Sequence, residues 1–438
     1  MQLIIDLIRY KGNIPIPNVT YGFVYFFTNI LTLFFVFLYA HQIVYVVVGL
    51  FKHPKVKNKD FKLHKIGVVI SARNESRVIA DLINSIRAND YPQELVNIFV
   101  IADNCTDNTA QICRDLGCVV FERFDTTKIG KGYALNFLFN KLHNEKEYKD
   151  LVPEAYIIMD ADNIMKPNYI TEINKVYDSG YKMVTSYRNS KNFGANWISS
   201  GYGYWFLHEA RHLNNSRMLF KTSSTILGTG FLIERELVKK FNNWEFFMLT
   251  EDVQCTMEYV LKGGTIGYCD TAEFFDEQPE SLKVSWKQRE RWAKGYYQNL
   301  GKYGLPLIKK SFKSFACWDI FTNLGAMLAM ALVVTIGYPI LAIVSLACWD
   351  ISTLSYIAIQ IGITIASMYV LMFLIALTLC ITEWKKINTK WYKKILYLFT
   401  FPIFMFTYYP IAITALIKFK KVKWDPIQHG VSKDDKKR

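Results

Sequence analysis

The chain has 438 residues, with 52 Lys and Arg against 38 Asp and Glu for a net charge of +14, yet 51% of its residues are hydrophobic and its mean hydropathy is +0.10. A soluble protein this basic would sit well below zero in hydropathy, so charge and apolar residues must be segregated along the chain. That excludes a purely soluble enzyme, a disordered tail protein and a small disulfide scaffold.

In chain order, the first stretch without Asp, Glu, Lys or Arg lies between Lys11 and Lys52. It supplies the ~20 apolar residues, at ~1.5 Å rise each, that a bilayer core needs. Residues 21–51 are too long for the apolar core of a signal peptide and carry no small-residue cleavage site, so 1–51 reads as an N-terminal segment with a retained membrane helix. The polar stretch 52–300 is large enough for one domain. Its cysteines (Cys105, Cys113, Cys118, Cys255 and Cys269) form no CxxC pair and no zinc-type spacing, and Cys317, Cys348 and Cys380 lie in or beside apolar segments. All read as reduced, buried thiols of a cytosol-facing protein.

Within 52–300, Ile66-Gly67-Val68-Val69-Ile70 precedes a helical pattern over 77–87. Val96-Asn97-Ile98-Phe99-Val100-Ile101 then runs into the polar turn Asp103-Asn104-Cys105-Thr106-Asp107 and a helix near 110–116. Val119-Val120-Phe121 follows, Gly130-Lys131-Gly132 opens another helix, and Ala155-Tyr156-Ile157-Ile158-Met159 ends in Asp160. Apolar runs alternating with amphipathic helices predict an α/β domain with a mostly parallel, doubly wound sheet. Ligands bind such sheets beyond the carboxyl ends of the strands, so Asp103 and Asp160 are expected to face one crevice. No GxxxxGK[ST] loop occurs, and the isolated pairs Gly130/Gly132 and Gly201/Gly203 make no dinucleotide fingerprint.

Further on, Leu305-Pro306-Leu307-Ile308-Lys309-Lys310-Ser311-Phe312-Lys313 is basic and amphipathic and predicts an interfacial helix over 301–318. Uncharged gaps between Asp319 and Asp350, Asp350 and Glu383, and Lys394 and Lys418 predict transmembrane helices within 319–417, near 320–347, 354–382 and 395–417. The loop 383–394 holds five lysines and the tail 418–438 is basic, which places both in the cytoplasm by the positive-inside rule. Three single crossings after a cytoplasmic domain would leave the tail on the wrong side. Either Gly337-Tyr338-Pro339 folds one segment into a hairpin, or Pro402 and Pro410 make the last one re-entrant.

Three constellations carry chemistry. Asp160-Ala161-Asp162 brings two carboxylates into a small volume, where a divalent cation would relieve their repulsion and neutralise a departing pyrophosphate. Alone it is equally an Asx-rich turn ahead of a helix starting at Pro167. Thr250-Glu251-Asp252 opens a helical pattern, a position suited to a general base and equally to a simple N-cap. Gln288, Arg291 and Trp292 share one helical face; Arg suits a pyrophosphate and Trp a sugar ring, or the face is that of an amphipathic helix with a core tryptophan.

These elements, with Ser71-Ala72-Arg73-Asn74-Glu75, Ile101-Ala102-Asp103, Gly130-Lys131-Gly132 and Gly228-Thr229-Gly230, stand in one order over nearly all of 66–300. In this the chain resembles the membrane-embedded family 2 glycosyltransferases, similar to cellulose, chitin, hyaluronan and poly-N-acetylglucosamine synthases. The resemblance implies a nucleotide-sugar-binding GT-A-like domain between transmembrane helices. It assigns Ala72, Arg73, Glu75 and Asp103 to the uridine, Lys131 to the diphosphate, Asp160 to the nucleotide, and Asp162 with Asp160 to Mg²⁺ or Mn²⁺. Asp252, with Glu251 beside it, would be the base, inverting the anomeric centre. Gly228, Thr229 and Gly230 would line the acceptor side, with Gln288, Arg291 and Trp292 at the diphosphate and the end of a growing chain. Asn104 stands where many relatives carry a second acid, and Ala72-Arg73 replaces an aromatic before Asn74; both departures touch the uridine pocket.

The implied activity is processive transfer from a cytosolic UDP-sugar, UDP-N-acetylglucosamine or UDP-glucose, with export of the polymer past Asn323, Gln360, Tyr408 and Tyr409. Single-sugar transfer to a lipid carrier is the alternative. Implied partners are the donor, a glycan or lipid acceptor, membrane lipids and accessory export subunits. His208-Glu209-Ala210-Arg211-His212 points elsewhere: it has the HExxH spacing of zinc proteases, with Glu234 or Glu236 as a third ligand. The lysines cluster beside membrane segments, so anionic lipid rather than nucleic acid is the expected basic-patch partner.

Overall fold

The apolar runs assemble into one eight-stranded sheet: β1 (Ile66–Ala72), β2 (Val96–Asp103), β3 (Val119–Arg123), β4 (Ala155–Asp160), β5 (Ile164–Met165), β6 (Met183–Ser190), β7 (Phe231–Glu234) and β8 (Gly267–Asp276). The computed structural model describes residues 19–54, 56, 60–323, 336–343, 346–347 and 351–419. The strand order is β3-β2-β1-β4-β7-β6-β8-β5. The first four strands are parallel neighbours, as the alternation of runs and helices predicts. β7 then inserts antiparallel between β4 and β6, and β8 returns parallel to β6. The sheet is thus mixed but mostly parallel.

The helices are α1 (Val19–Phe51), α2 (Ile79–Arg87), α3 (Thr109–Asp115), α4 (Lys131–Asn144), α5 (Tyr169–Asp178), α6 (Trp197–Leu207), α7 (Asn215–Leu219), α8 (Arg235–Lys240), α9 (Glu251–Leu261), α10 (Leu282–Ser311), α11 (Phe315–Phe321), α12 (Ile351–Thr382), α13 (Trp391–Phe406) and α14 (Tyr408–Ile417). Side chains alternate across a strand, and both faces of the central strands are covered. Val68, Ile70, Ile157 and Met159 pack with Leu82, Ile83 and Ile170 of α2 and α5. Val69, Tyr156 and Ile158 pack with Leu135, Leu138 and Phe139 of α4. That double coverage explains why β1 and β4 read as unbroken apolar runs.

Apolar helices flank the domain in the sequence. Residues Tyr25–Phe51, Leu354–Thr382 and Trp391–Ile417 are long and apolar enough to cross a membrane. Residues 324–335 and 344–345 of the segment 320–347, residues 1–18, Cys348 and the tail beyond 419 lie outside the described residues. Gly337, Tyr338 and Pro339 belong to a helical stretch, 336–343, so the chain makes no hairpin turn there. The basic stretch after 300 forms the last turns of α10 and the turn beyond it, with Leu305 and Phe312 exposed.

One buried ion pair ties these helices to the domain. Arg217 of α7 makes a forked bond to Asp319 of α11, Nε to Oδ2 at 2.9 Å and Nη2 to Oδ1 at 2.8 Å, and neither side chain has any exposed surface. Tyr45 of α1 donates to the same carboxylate at 2.8 Å. A buried charge deprived of its partner is far more costly than the intact pair. Asp319→Ala is therefore expected to destabilise the protein by about 3–5 kcal/mol, read as a fall in the thermal midpoint of detergent-solubilised protein. Replacing both partners by apolar residues, R217M with D319L, is expected to recover only part of that loss, because buried Glu209 also relies on Arg217.

Candidate active site

β2 delivers Asp103 and β4 delivers Asp160 to the carboxyl edge, on either side of β1, which ends at Ala72. In register, Ala72 lies opposite Ala102 and Ser71 opposite Asp160, so both acids stand at the end of β1. The loops after β1 and β2 are stitched together, Thr106 N donating to Asn74 Oδ1 at 2.8 Å and Glu75 N to Thr109 Oγ1 at 2.9 Å. Asp103 is buried, and its Oδ1 accepts from both Arg123 Nη1 at 2.6 Å and Asn104 Nδ2 at 3.0 Å. Burial raises its carboxyl, while Arg123 and, more weakly, Arg73 oppose the rise. Arg123 Nη2 also donates to Lys128 O at 2.6 Å, joining this acid to the loop that leads to Lys131.

Lys131 opens α4, where its ammonium pairs with Asp160 and donates to Gly228 O at 2.8 Å. The next residue must be glycine: a methyl at Gly132 would lie 1.9 Å from Phe246 O, on the loop that carries Glu251. Asp162 is buried and accepts from Asn163 Nδ2 at 3.1 Å and Glu277 N at 3.3 Å. Thr229 Oγ1 donates to Asn163 Oδ1 at 2.5 Å and accepts from Asp160 N at 2.9 Å. The turn containing Gly228, Thr229 and Gly230 is thereby locked to the Asp160–Asp162 turn. Asp160 and Asp162 offer only carboxylate oxygens, a donor chemistry that suits hard divalent cations.

Glu251 and Asp252 form the first turn of α9. A methyl at Gly228 would lie 3.8 Å from Asp252 Oδ2, so the acid pair faces the same turn as Lys131. Burial, and then the Asp252 charge, push Glu251 up to about 7. Burial raises Asp252 as well, and the charges of Lys131 and Arg291 lower both. The two neighbouring acids titrate as a coupled pair, the carboxyl of each raised by burial.

α10 braces this segment from behind. Arg291 Nη1 donates to Leu249 O at 3.1 Å, Gln298 Oε1 accepts from Leu249 N at 3.1 Å, and Asn299 Nδ2 donates to Thr250 Oγ1 at 3.0 Å. A methyl at Gly295 would lie 2.5 Å from Thr250 Oγ1, so only glycine admits the helix this close. Trp292 meets Tyr202 and Phe206 edge-on, with centroids 5.8 and 6.4 Å apart. Gln288 is half-buried, with its Oε1 turned out of water and without a hydrogen-bond partner. Arg188 stacks on Phe206 at 3.5 Å, pairs with Asp276 and donates to Leu227 O at 2.9 Å, beside Gly228.

Residues 64–295, more than half of the chain, match the family described as "Glycosyltransferase like family 2". The chain belongs to the family 2 glycosyltransferases. It is 27% identical over 316 residues to a Bacillus subtilis protein named probable glycosyltransferase YdaM, a match covering 66% of this chain and 70% of that one. It is 24% identical over 265 residues to the poly-beta-1,6-N-acetyl-D-glucosamine synthase of Staphylococcus epidermidis, covering 58% of this chain and 60% of that protein's length. Among solved structures, the mannosyltransferase PcManGT from Pyrobaculum calidifontis, in complex with GDP-Man and Mn²⁺, superposes with a TM-score of 0.54 at 14% identity, covering 90% of this chain and 98% of that one. The GT-A-like fold is shared.

Within this glycosyltransferase the HExxH residues serve another end. His208–Asn214 is a π-helix, and His208 Nδ1 and His212 Nδ1 face each other at 2.9 Å, one imidazole bonded to the other. Burial pushes His208 down to about 3 and His212 well below its ordinary value, so both stay neutral. Glu209 turns to Arg217 and Asn323, while Glu234 pairs with Lys182 and Glu236 with Arg235 and Lys239. No third ligand converges among the described residues, and the zinc-protease alternative fails on that geometry. The four residues expected to line an export path are held by contacts of their own. Tyr408 lies over Arg289 of α10, Asn323 lies against Glu209, Tyr409 donates to Met368 Sδ, and Gln360 is buried in α12.

The raised carboxyl of Glu251 makes stability pH-dependent. Its folded-state value lies above the ordinary 4.5, so its contribution is complete below 4.5 and is lost as pH rises through about 7. Glu251→Gln is expected to flatten this dependence, the parent's thermal midpoint falling a few degrees more than the variant's between pH 5 and pH 8.

Proposed function

We propose that the protein is an inverting, metal-dependent glycosyltransferase that draws a UDP-sugar from the cytosol and elongates a polysaccharide, guiding it across the membrane. The observation that carries the reading is the facing pair at the Gly228 turn: Lys131 with Asp160 on one side, the adjacent acids Glu251 and Asp252 on the other. A leaving diphosphate needs positive charge, and an acceptor hydroxyl needs a base a few ångströms away. Asp252 takes the acceptor hydroxyl proton, the freed oxygen pair bonds to the anomeric carbon from the face opposite the diphosphate, and the bond from that carbon to the UDP oxygen breaks. Lys131 offsets the charge that departs. Asp160 and Asp162 would hold Mg²⁺ or Mn²⁺, which neutralises the diphosphate when bound. Ala72, Arg73, Glu75 and Asp103 take the nucleoside side, Gln288 and Arg291 the diphosphate, and Gly228, Thr229, Gly230 and Trp292 the acceptor.

The names of the staphylococcal relatives favour N-acetylglucosamine as the sugar and a polymer as the product. Trp292, partly exposed on the buried rings of Tyr202 and Phe206, supports a carbohydrate acceptor, since a flat ring suits a sugar face. The lysine-rich loop 383–394 docks on the domain through Lys393 Nζ to Gly194 O at 2.6 Å and supports a cytoplasmic orientation of both. Asp252→Asn is expected to keep UDP binding and to lose about 10²–10⁴-fold in turnover, measured as metal-dependent UDP release from a panel of UDP-sugars. A fully active variant defeats the assignment of Asp252 as base. Release confined to one sugar per acceptor removes the polymer from the proposal.

A further inference from the structure

The last apolar segment, α13 with α14, is long enough to cross a bilayer: 27 residues at ~1.5 Å each give about 40 Å. Its contacts place it differently. At its start Tyr204 OH donates to Lys394 O at 2.8 Å, and Lys393 is bonded to Gly194. At its middle a methyl on Gly201 would lie 2.3 Å from Phe404 Cγ, so α6 of the catalytic domain touches it there too. The helix breaks at Thr407, three residues before Pro410, and Arg289 of α10 enters the break. Arg289 Nη1 donates to Thr407 Oγ1 at 2.7 Å and to Phe404 O at 3.3 Å, and its guanidinium lies 4.3 Å from the Phe404 ring and 4.8 Å from that of Tyr408. Towards its end Tyr297 OH donates to Ala412 O at 3.3 Å, Ile411 and Ala415 pack on Ala293, and Lys418 Nζ lies 3.9 Å from Glu290 Oε2.

The helix making most of these contacts is charged. α10 carries Lys283, Lys287, Arg289, Glu290, Arg291 and Lys294, and it braces Leu249 and Thr250 at the acid pair. If α13 and α14 crossed the bilayer, Phe404 would lie at its centre with a guanidinium attached, and the charged turns of α10 would follow it into hydrocarbon. α12 does run beside α13, with Tyr369 OH donating to Phe399 O at 3.0 Å. It does so along its second half, which is itself lodged against the domain through Thr378, Leu379 and Cys380.

We propose that the last apolar segment does not cross the membrane but lies in its interfacial layer, between the catalytic domain and the lipid, with both ends on the domain's side. Its outward face is apolar, with Tyr392, Leu396, Phe399 and Ile403 about half exposed, and the partner of that face is the bilayer surface. Basic residues stand at both ends, Lys385, Lys386 and Lys390 before it, Lys393 and Lys394 in its first turn and Lys418 after it, as suits a surface-seated helix next to anionic lipid. Both ends of the segment, at Lys393 and Lys418, then stand on the domain's side, as does the end of α12, where Glu383 accepts from Tyr187 OH at 2.7 Å. Of the two solutions the sequence leaves open, this selects the one built on Pro402 and Pro410.

The test uses the full-length protein in sealed membrane vesicles of each orientation, treated with trypsin, with the released peptides read by mass spectrometry. Tail peptides from beyond Lys418 are expected in the same orientation as peptides from the exposed lysines of 52–300, and to be lost in the other. Tail peptides released only from the opposite orientation would overturn the proposal. The comparison is of tail with domain, so it holds whichever face the domain occupies and whether or not the donor assigned above is correct. Domain and tail both appearing on the outer face would defeat the cytosolic orientation and leave this inference standing.

Discussion

Five carboxylates, Asp103, Asp160, Asp162, Glu251 and Asp252, are gathered at one edge of a sheet, most of them out of water, and such a cluster is stable only if positive charge is built in beside it. Lys131 is the centre of that compensation. It is bonded to Asp160 and to the Gly228 carbonyl, and its charge reaches Glu251 and Asp252. The local structure follows from placing that ammonium. α4 must begin where β4 ends, Gly132 must be bare so that the helix can touch the loop before α9, and the Gly228 turn must present a carbonyl inward. Arg123 does for Asp103 what Lys131 does for Asp160.

The same constraint explains why the acid pair is held from two sides. A coupled acid pair is sensitive to small displacements, because each carboxyl's ionisation depends on the distance to the other. α10 fixes the segment through three residues a helical turn or two apart, Arg291, Gln298 and Asn299, with Gly295 allowing contact. α10 is in turn pinned to the last apolar segment by Arg289, so the membrane-facing elements are one helix away from the base. The polar cluster of Arg217, Asp319, Glu209 and Tyr45 supports the opposite side, where α1 and α11 meet the domain. In a membrane protein such buried charge marks a contact with one permitted geometry.

Much of the first half of the sheet was readable before any coordinates. β1 and β4 are covered on both faces, so each is an unbroken apolar run ending in a polar turn, and the order of the first four strands predicted the crevice. β6, β7 and β8 were not read. β6 carries Ser186, Arg188 and Asn189, whose side chains bond to partners within the fold and interrupt the apolar run. Gly295, Gln298 and Asn299 were legible in principle, recurring on the face of Arg291. Arg188 and Asp276 were not, being 88 residues apart and meeting only through the pairing of β6 with β8.

Composition alone determined that this is a chain of segregated charge and apolar segments, and the order of short motifs determined its family. Both are properties of residue type and spacing, which local chemistry dictates. What the HExxH spacing is used for was decided by the tertiary structure, because i, i+4 histidines share a helical face whether a metal, another helix or each other lies against them. The position of the last apolar segment was decided there too. Hydropathy reports that 27 residues avoid water, but lipid and protein are equally good at excluding it, and only the arginine lodged at Phe404 and Thr407 tells which one covers the helix.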